Sequence, residues 1–252
     1  MMFLLFAAAA QSVTPPTPVG PPSPEEQRWE RCVELAVDEP AAGIEEANRW
    51  RMAGGRFLAE QCRGMAYARQ QRWVSAGGAF ETAAREAEVA RDRRASKYWA
   101  QAGNAWLAAG EAAKARTALD AALATGTLEG LELGEAHLDR ARALVASGDL
   151  AGARSDLDKA LVHAAKDPMA WLLSANLARR TGNVPLAREH IARALGMAGD
   201  DASVQLEAGN IAAVARDEAG AKAAWTRAAQ LSPDGPIGAS ARAALQQFAE
   251  QE

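Results

Sequence analysis

The chain has 252 residues, of which 49% are hydrophobic and 24% are charged, so it can bury a substantial core and is not disordered as a whole. Its formal net charge of -4 provides no broad cationic field of the kind that drives non-specific binding to DNA or RNA. Nucleic acid is therefore not expected as the main partner.

The N-terminus is typical of an export signal. Residues 1–10, MMFLLFAAAA, form a short apolar run that ends in small residues suited to signal peptidase, although no Lys or Arg precedes it. A membrane anchor is the alternative, but prolines from Pro15 onward would end a helix before the roughly 20 residues that a membrane span needs. We expect a cleaved signal peptide and a periplasmic protein without stable membrane insertion. The alternative is membrane tethering through an uncleaved N-terminus.

A proline-rich linker follows the signal. Residues 11–23, QSVTPPTPVGPPS, contain too many prolines for a helix and too little apolar surface to pack, which predicts an extended, semi-rigid tether. Ser23 can then cap a helix that has Pro24 at its first position and two acidic residues, Glu25 and Glu26, near its positive end. The folded domain is therefore expected to span residues 24–252.

Residues 57–233 repeat one pattern five times. Each copy has a small residue, here called the marker, with an apolar residue at +3, alanine at +12, a bulky residue at +16 and alanine at +19. The second copy, for example, contains Gly103, Trp106, Ala115, Leu119 and Ala122. The markers are Gly64, Gly103, Ala141, Ala175 and Gly209, separated by 39, 38, 34 and 34 residues. Five copies at this spacing indicate a repeat architecture.

This pattern resembles the tetratricopeptide repeat, a helix-turn-helix unit of 34 residues. Trp99-x-x-Ala102-Gly103-x-x-Trp106 is the nearest match, and Trp171-x-x-Ser174-Ala175 and Pro233 add further marks, whereas His137 and Gln205 replace the leading tryptophan in two units. The resemblance implies an all-α protein, a right-handed α-solenoid of such units. The chain also resembles tetratricopeptide proteins exported by Gram-negative bacteria.

The flanking segments are predicted to close both ends of the stack. Residues 24–56 form a degenerate unit with two helices broken at Pro40, and residues 234–252 form one amphipathic capping helix. Alanine is expected where helices cross closely, with large side chains filling the gaps beside it. Gly110, Gly148 and Gly182 are expected to end the first helices of their units in a left-handed conformation.

Cys32 and Cys62, the two cysteines, lie on the predicted first helices of successive units. In an oxidising compartment they could form a disulfide that joins the N-terminal cap to the array. The alternative is two buried thiols that act as small hydrophobic side chains.

The sequence contains no recognisable catalytic, cofactor or metal-binding constellation. His137, His163 and His190 fall at different unit positions and are expected on the surface, and the cysteines lack a C-x-x-C spacing. Glycine pairs lack the spacing of phosphate-binding loops, and the many carboxylates are expected on solvated helix faces. We therefore expect a protein that is not an enzyme and that needs neither cofactor nor metal.

A concave groove is the candidate binding site. In tetratricopeptide arrays the first helices line this surface, and the resemblance places the residue after each marker there: Met65, Asn104, Arg142, Asn176 and Asn210. Amides spaced one unit apart could bind the backbone of an extended peptide, with additional contacts from Lys97, Gln101, Arg179 and Arg180. The alternative is that asparagine is merely tolerated at a wet helix position.

A binding groove in a chain without a recognisable catalytic constellation suggests two functions. The first is a non-catalytic interaction scaffold of the cell envelope that binds an extended peptide or a partner subunit. The second is an accessory subunit that presents a lipid or glycan to an envelope enzyme. Asparagines and arginines favour the peptide, and an apolar, Leu- and Met-rich groove would favour the lipid.

Overall fold

A computed structural model describes residues 21–249, so the predicted signal peptide, most of the proline-rich linker and residues 250–252 lie outside the described residues. Residues 21–249 form thirteen helices and no strand. The helices are α1 (Pro24–Asp38), α2 (Pro40–Met52), α3 (Arg56–Arg69), α4 (Trp73–Val89), α5 (Ala95–Ala108), α6 (Ala112–Ala124), α7 (Gly130–Ala146), α8 (Leu150–His163), α9 (Pro168–Arg180), α10 (Val184–Ala198), α11 (Ala202–Val214), α12 (Glu218–Leu231) and α13 (Pro236–Ala249). The predicted all-α solenoid is confirmed.

Consecutive helices pair into units, and the units stack in chain order. Each odd-numbered helix from α1 to α11 packs against the even-numbered helix that follows it, and α13 packs on α11 and α12 at the C-terminal end. Odd-numbered helices also contact one another between units, as α5 does with α7 and α9 with α11. They therefore line the inner side of the stack, called the concave face below, and the even-numbered helices form the outer side.

The turns inside the units confirm the expected glycine positions. Gly110, Gly148 and Gly182 have φ values of 76°, 83° and 78°, in the left-handed region that glycine adopts without a steric penalty. Each lies seven residues after its marker. Gln71 and Arg216 occupy the same position in the first and last units and have φ values of 57° and 59°, where a side chain is strained.

Side chains also close several helix starts. Ser23 and Glu26 form a reciprocal capping box at α1, with Ser23 N donating to Glu26 Oε2 over 2.7 Å. Asp149 and Asn183, which follow the turn glycines, accept hydrogen bonds from the first turns of α8 and α10. Glu111 makes no such bond at α6. Side-chain capping therefore occurs in two of these three turns.

The repeated pattern forms the core. The residues at +12, +16 and +19 from every marker are buried in all five copies: Ala76, Phe80, Ala83, Ala115, Leu119, Ala122, Ala153, Leu157, Ala160, Ala187, Ile191, Ala194, Ala221, Trp225 and Ala228. The markers are small because the bulky +16 side chain lies against them. A Cβ atom at Gly103 would lie 2.4 Å from Leu119 Cγ, and one at Gly209 would lie 2.4 Å from Trp225 Cδ1. The alanine and glycine positions therefore set how closely two helices of a unit approach.

A disulfide joins Cys32 on α1 to Cys62 on α3. Both cysteines are fully buried, in one apolar cluster with Trp50 and Leu58. The bond closes a loop across the first two units, so it restricts the unfolded chain at the N-terminal end of the stack.

Two of the three histidines are buried, which corrects the expectation that all three lie on the surface. His137 is 8% exposed and His190 is 7% exposed, whereas His163 is exposed. His190 Nδ1 lies 2.7 Å from Ser174 Oγ. Burial and the nearby Arg154 lower the pKa of His190, so this imidazole is held in its neutral form.

His137 belongs to a buried ion-pair cluster on the unit formed by α7 and α8. Its Nδ1 lies 3.0 Å from Asp156 Oδ1, and Arg140 Nε donates to Asp156 Oδ2 over 2.6 Å. Burial alone would raise the pKa of Asp156, but hydrogen bonds from Arg140 and His137 outweigh it and lower this pKa from 3.8 to about 2. His137 thus replaces the usual tryptophan with a polar contact inside the unit.

Gly103→Ala should lower the free energy of unfolding by roughly 1–3 kcal/mol, because the new Cβ atom overlaps the fully buried Leu119 side chain. Gly78→Ala is the matched control. Gly78 also lies inside a helix, but a Cβ atom there meets open space, so this variant should gain about 0.5–1 kcal/mol in helix propensity. Urea unfolding of both variants measures the difference, and equal effects would contradict this packing.

Replacing Cys32 and Cys62 together by alanine should destabilise the N-terminal units by roughly 3–4 kcal/mol, the loop-entropy contribution of a closed segment of this length. Because units of a solenoid contact only their neighbours, amide hydrogen exchange should accelerate in α1 and α3 and change little in α11 and α12. A uniform acceleration along the chain would show that the bond stabilises the whole array.

Lowering the pH should destabilise the protein through Asp156. The depressed folded-state pKa gives roughly 2 kcal/mol of stability that is complete above about pH 4 and is lost as the pH falls through about 2. Asp156→Asn should lose roughly 1–3 kcal/mol at neutral pH and show a shallower decline in acid. Asp120→Asn is the control, since Asp120 also contacts Arg140 but is half exposed, and it should change stability by less than about 1 kcal/mol. Urea unfolding at several pH values tests this, and equal acid profiles for both variants would count against the cluster.

Candidate functional site

The seven residues predicted for the groove all lie on odd-numbered helices. Lys97, Gln101 and Asn104 are on α5, Arg142 is on α7, Asn176 and Arg179 are on α9, and Asn210 is on α11. They do not converge on one point but follow the concave face over four successive units. Lys97, Asn104 and Arg142 are exposed, and the other four are partly buried.

The asparagines of this set already have partners in the next unit. Asn104 Nδ2 donates to Asp139 Oδ2 over 2.9 Å, and Asn176 Nδ2 donates to Glu207 Oε2 over 3.1 Å. Both asparagines follow a marker directly, and both acids lie two residues before the marker of the next unit. Asp139 precedes Ala141 by two residues and Glu207 precedes Gly209 by two. The amides therefore form a ladder that joins α5 to α7 and α9 to α11.

The acids of this ladder also bind side chains of their own units. Arg142 Nη1 donates to Asp139 Oδ1 over 3.0 Å, and Asn210 Nδ2 donates to Glu207 Oε2 over 3.2 Å. Arg179 Nε adds a bond of 2.7 Å to Glu207, which is only 5% exposed. Glu207 is thus a buried carboxylate satisfied by three side chains.

Asn210 has a second structural contact. Its Oδ1 accepts a hydrogen bond of 3.0 Å from Trp225 Nε1, the bulky residue of the last unit. Sequence reasoning identified the amides but overlooked the acids two residues before the markers, because it assigned carboxylates to solvated faces. The repeated spacing of acid and amide was the signal that could have identified these pairs.

A concavity of about 420 Å³ lies on the concave face between α5 and α7. We call it the acidic pocket. Its apolar wall includes Trp73, Phe80 and Leu128, and its polar side includes Lys97, Gln101, Asn104, Glu132, Glu135 and Asp139. Three carboxylates face one ammonium group, so the pocket carries a negative charge.

Most charges of the acidic pocket are paired. Lys97 Nζ lies 2.5 Å from Glu132 Oε1, and Asp139 binds Asn104 and Arg142 as described. Among residues 21–249, no hydrogen bond or ion pair reaches the Glu135 carboxylate. Partial burial, Asp139, Asp167 and Glu132 raise the pKa of Glu135. The Glu135 carboxylate is therefore an acceptor without a cationic partner among these residues.

A second concavity of about 230 Å³ lies between α7 and α9, and we call it the basic pocket. Its apolar lining includes Val145, Leu173 and Leu177, and its polar lining consists of Arg142, Asn176 and Arg180. No hydrogen bond or ion pair with another described residue involves the Arg180 guanidinium. This pocket therefore has the opposite charge to the acidic pocket, one unit further along the stack.

The described part of the chain has no helix long and apolar enough to cross a bilayer. Within the same residues there is no group of three or more His, Cys, Asp or Glu side chains that could hold a metal ion.

Comparison with known proteins agrees with the repeat. A family model described as "Tetratricopeptide repeat" matches residues 138–202 and again residues 172–236. No curated protein matches the chain.

Solved structures share the fold at low identity. A structure of PilF from Pseudomonas aeruginosa is 14% identical with a TM-score of 0.70, covering 91% of this chain and 100% of that one. PilW, described as a widely conserved type IV pilus biogenesis factor, is 15% identical with a TM-score of 0.71, and the match covers 86% of this chain and 97% of PilW. YrrB, described as a TPR protein with an unusual peptide-binding site, is 17% identical with a TM-score of 0.56, at 82% and 98% coverage.

The matched family model and the stacked helix pairs agree on the same unit, in which small markers and buried alanines recur at fixed positions. The chain therefore contains tetratricopeptide repeats, which the family model matches over residues 138–236.

Proposed function

We propose that this protein is a non-catalytic interaction scaffold of the cell envelope that holds an extended peptide, or an extended segment of a partner subunit, on its concave face. The observation that carries the proposal is the pair of neighbouring pockets on that face, each of which contains a charged side chain without a partner among the described residues. Charges that have no partner among residues 21–249 are available to a ligand.

The lining of the acidic pocket favours a peptide over a lipid. Ala68, Ala100, Ala105 and Ala136 leave room for a backbone to approach. Glu135 offers an acceptor for its N–H groups, and Gln101, whose Oε1 already accepts from Gln61 Nε2, offers amide donors for its C=O groups. An acyl chain would leave these polar groups desolvated and unpaired, which is costly. The mixed lining of apolar and polar side chains therefore favours a peptide ligand over the lipid or glycan alternative.

The internal amide ladder changes which residues are proposed to contact the ligand. Asn104, Asn176 and Asn210 each give an amide hydrogen to an acid of the chain, so they offer a ligand at most their remaining donor and, for the first two, the carbonyl oxygen. Lys97 and Gln101 line the acidic pocket and Arg142 lines the basic one. We assign the peptide to these two pockets and a mainly structural role to Arg179 and Asn210.

Three observations support the envelope location. The apolar run at residues 1–10 is typical of an export signal. The Cys32–Cys62 disulfide fits an oxidising compartment such as the periplasm. PilW, which shares the fold, is described as a pilus biogenesis factor, so an envelope role has a precedent among proteins of this architecture.

Site-specific photo-crosslinking tests this function. We expect p-benzoylphenylalanine at Lys97, on the rim of the acidic pocket, to crosslink a protein in the envelope fraction of the native host. The same probe at Lys159 is the control, because Lys159 is also an exposed lysine but lies on the outer helix α8. A product formed only from position 97 is the expected result.

Other outcomes would contradict the proposal in defined ways. Equal crosslinking from both positions would place the interaction outside the groove. A product from position 97 that carries lipid or glycan instead of polypeptide would favour the accessory-subunit alternative.

A further inference from the structure

We propose that the concave face selects a peptide with paired opposite charges: a lysine or arginine binds Trp73 and Glu135 in the acidic pocket, and a carboxylate about three residues away binds Arg180. This inference rests on the proposed function, since it specifies which extended segment the groove takes.

One of the three carboxylates in the acidic pocket has no cationic partner among the described residues. Glu132 is neutralised by Lys97, and Asp139 is bound by Arg142 and Asn104, but Glu135 has no counter-charge in residues 21–249. The repulsion from neighbouring acids that raises the pKa of Glu135 would be relieved by a bound cation. A basic side chain of a ligand is the group that completes this cluster.

Trp73 supplies the aromatic face for the same cation. It is half-buried and lines the acidic pocket together with the wall residues Phe80 and Leu128. Four other tryptophans donate their indole N–H within the chain, as Trp99 does to Glu88 and Trp106 does to Glu81. Among the described residues, Trp73 has neither a hydrogen-bond acceptor nor a ring or cation partner. A cationic group between this ring and a carboxylate gains from both interactions.

The basic pocket offers the complementary group. Arg142 is held by Asp139, but Arg180 has no acid within the described chain, and the Asn176 amide lies on the same lining. Leu173 and Leu177 line the same pocket, and the Arg180 side chain is exposed to solvent. A guanidinium in this setting binds a carboxylate, which it can hold with two parallel hydrogen bonds.

The helix geometry sets the spacing between the two pockets along α7. Glu135 lines the acidic pocket and Arg142 lines the basic pocket, and both lie on α7, separated by seven residues. At 1.5 Å per residue, this places the pockets roughly 10 Å apart along the helix. An extended peptide advances about 3.3 Å per residue, so about three residues span that distance.

Fluorescence anisotropy with synthetic peptides tests this inference. The probes are blocked, fluorescein-labelled peptides SALKASEALS and SALEASKALS, compared with neutral SALQASQALS and with the like-charged SALKASKALS and SALEASEALS. We expect at least one oppositely charged peptide to bind roughly fivefold to tenfold more tightly than the neutral peptide, and this preference should fall as salt is added.

Matched variants assign the effect to the two pockets. Glu135→Gln and Arg180→Gln should each abolish most of the preference for the charge-paired peptide without changing the affinity of the neutral one. Glu189→Gln and Arg216→Gln make the same charge changes at exposed positions outside both pockets and should have no effect. Trp73→Leu should weaken the charge-paired peptide more than the neutral peptide. Thermal melting confirms that each variant is folded.

Two results overturn the inference and can be told apart. If charged and neutral peptides bind with equal affinity, or if Glu135→Gln behaves as Glu189→Gln does, the inferred selection for paired charges is wrong. The proposed peptide-binding function of the groove would still stand. If no peptide binds and crosslinking from position 97 also fails, the proposed peptide-binding function is wrong and this inference with it.

Discussion

The close approach of two helices over a residue with little or no side chain is the constraint on which the structure depends. Phe80, Leu119 and Trp225 occupy the space that a Cβ atom at Gly64, Gly103 or Gly209 would need. The buried Ala141 and Ala175 occupy the equivalent crossings of the other two units. Because the same contact recurs in each unit, successive units take similar orientations and their first helices align on one side. The concave face is therefore a consequence of packing rather than of any binding residue.

A second layer of interactions, polar and on the concave side, joins one unit to the next. Asp139 and Glu207 accept hydrogen bonds from the preceding first helix and from their own, so each fixes the register of two units. This arrangement uses the groove's asparagines as part of the scaffold. Glu135 and Arg180, which have no such partner in the described residues, are consequently the groups that a ligand can neutralise.

The sequence predicted what local spacing determines and missed what depends on contacts between distant positions. The periodic alanines predicted the buried crossings, and glycine predicted the turns at 110, 148 and 182. Gln71 and Arg216 adopt the same turn without a glycine signal, because packing of the unit overrides their preference. The burial of His137 could not be foreseen, because its partner Asp156 lies 19 residues away on the next helix. The candidate pockets combine residues of several helices, which periodicity alone does not bring together.

The N-terminal end of the stack is held by a covalent bond, and the C-terminal end is held by side-chain packing. A covalent bond joins α1 to α3, whereas α13 is held by packing contacts such as Phe248 against Trp225, with ring centroids 5.6 Å apart. Under tension or attack by a protease, the array should therefore open from its C-terminal end, one unit after another. Both pockets lie between α3 and α9, so the unit of α11 and α12 and the capping helix α13 separate them from that end. The chain can lose its last helices to fraying while the binding surface keeps its shape.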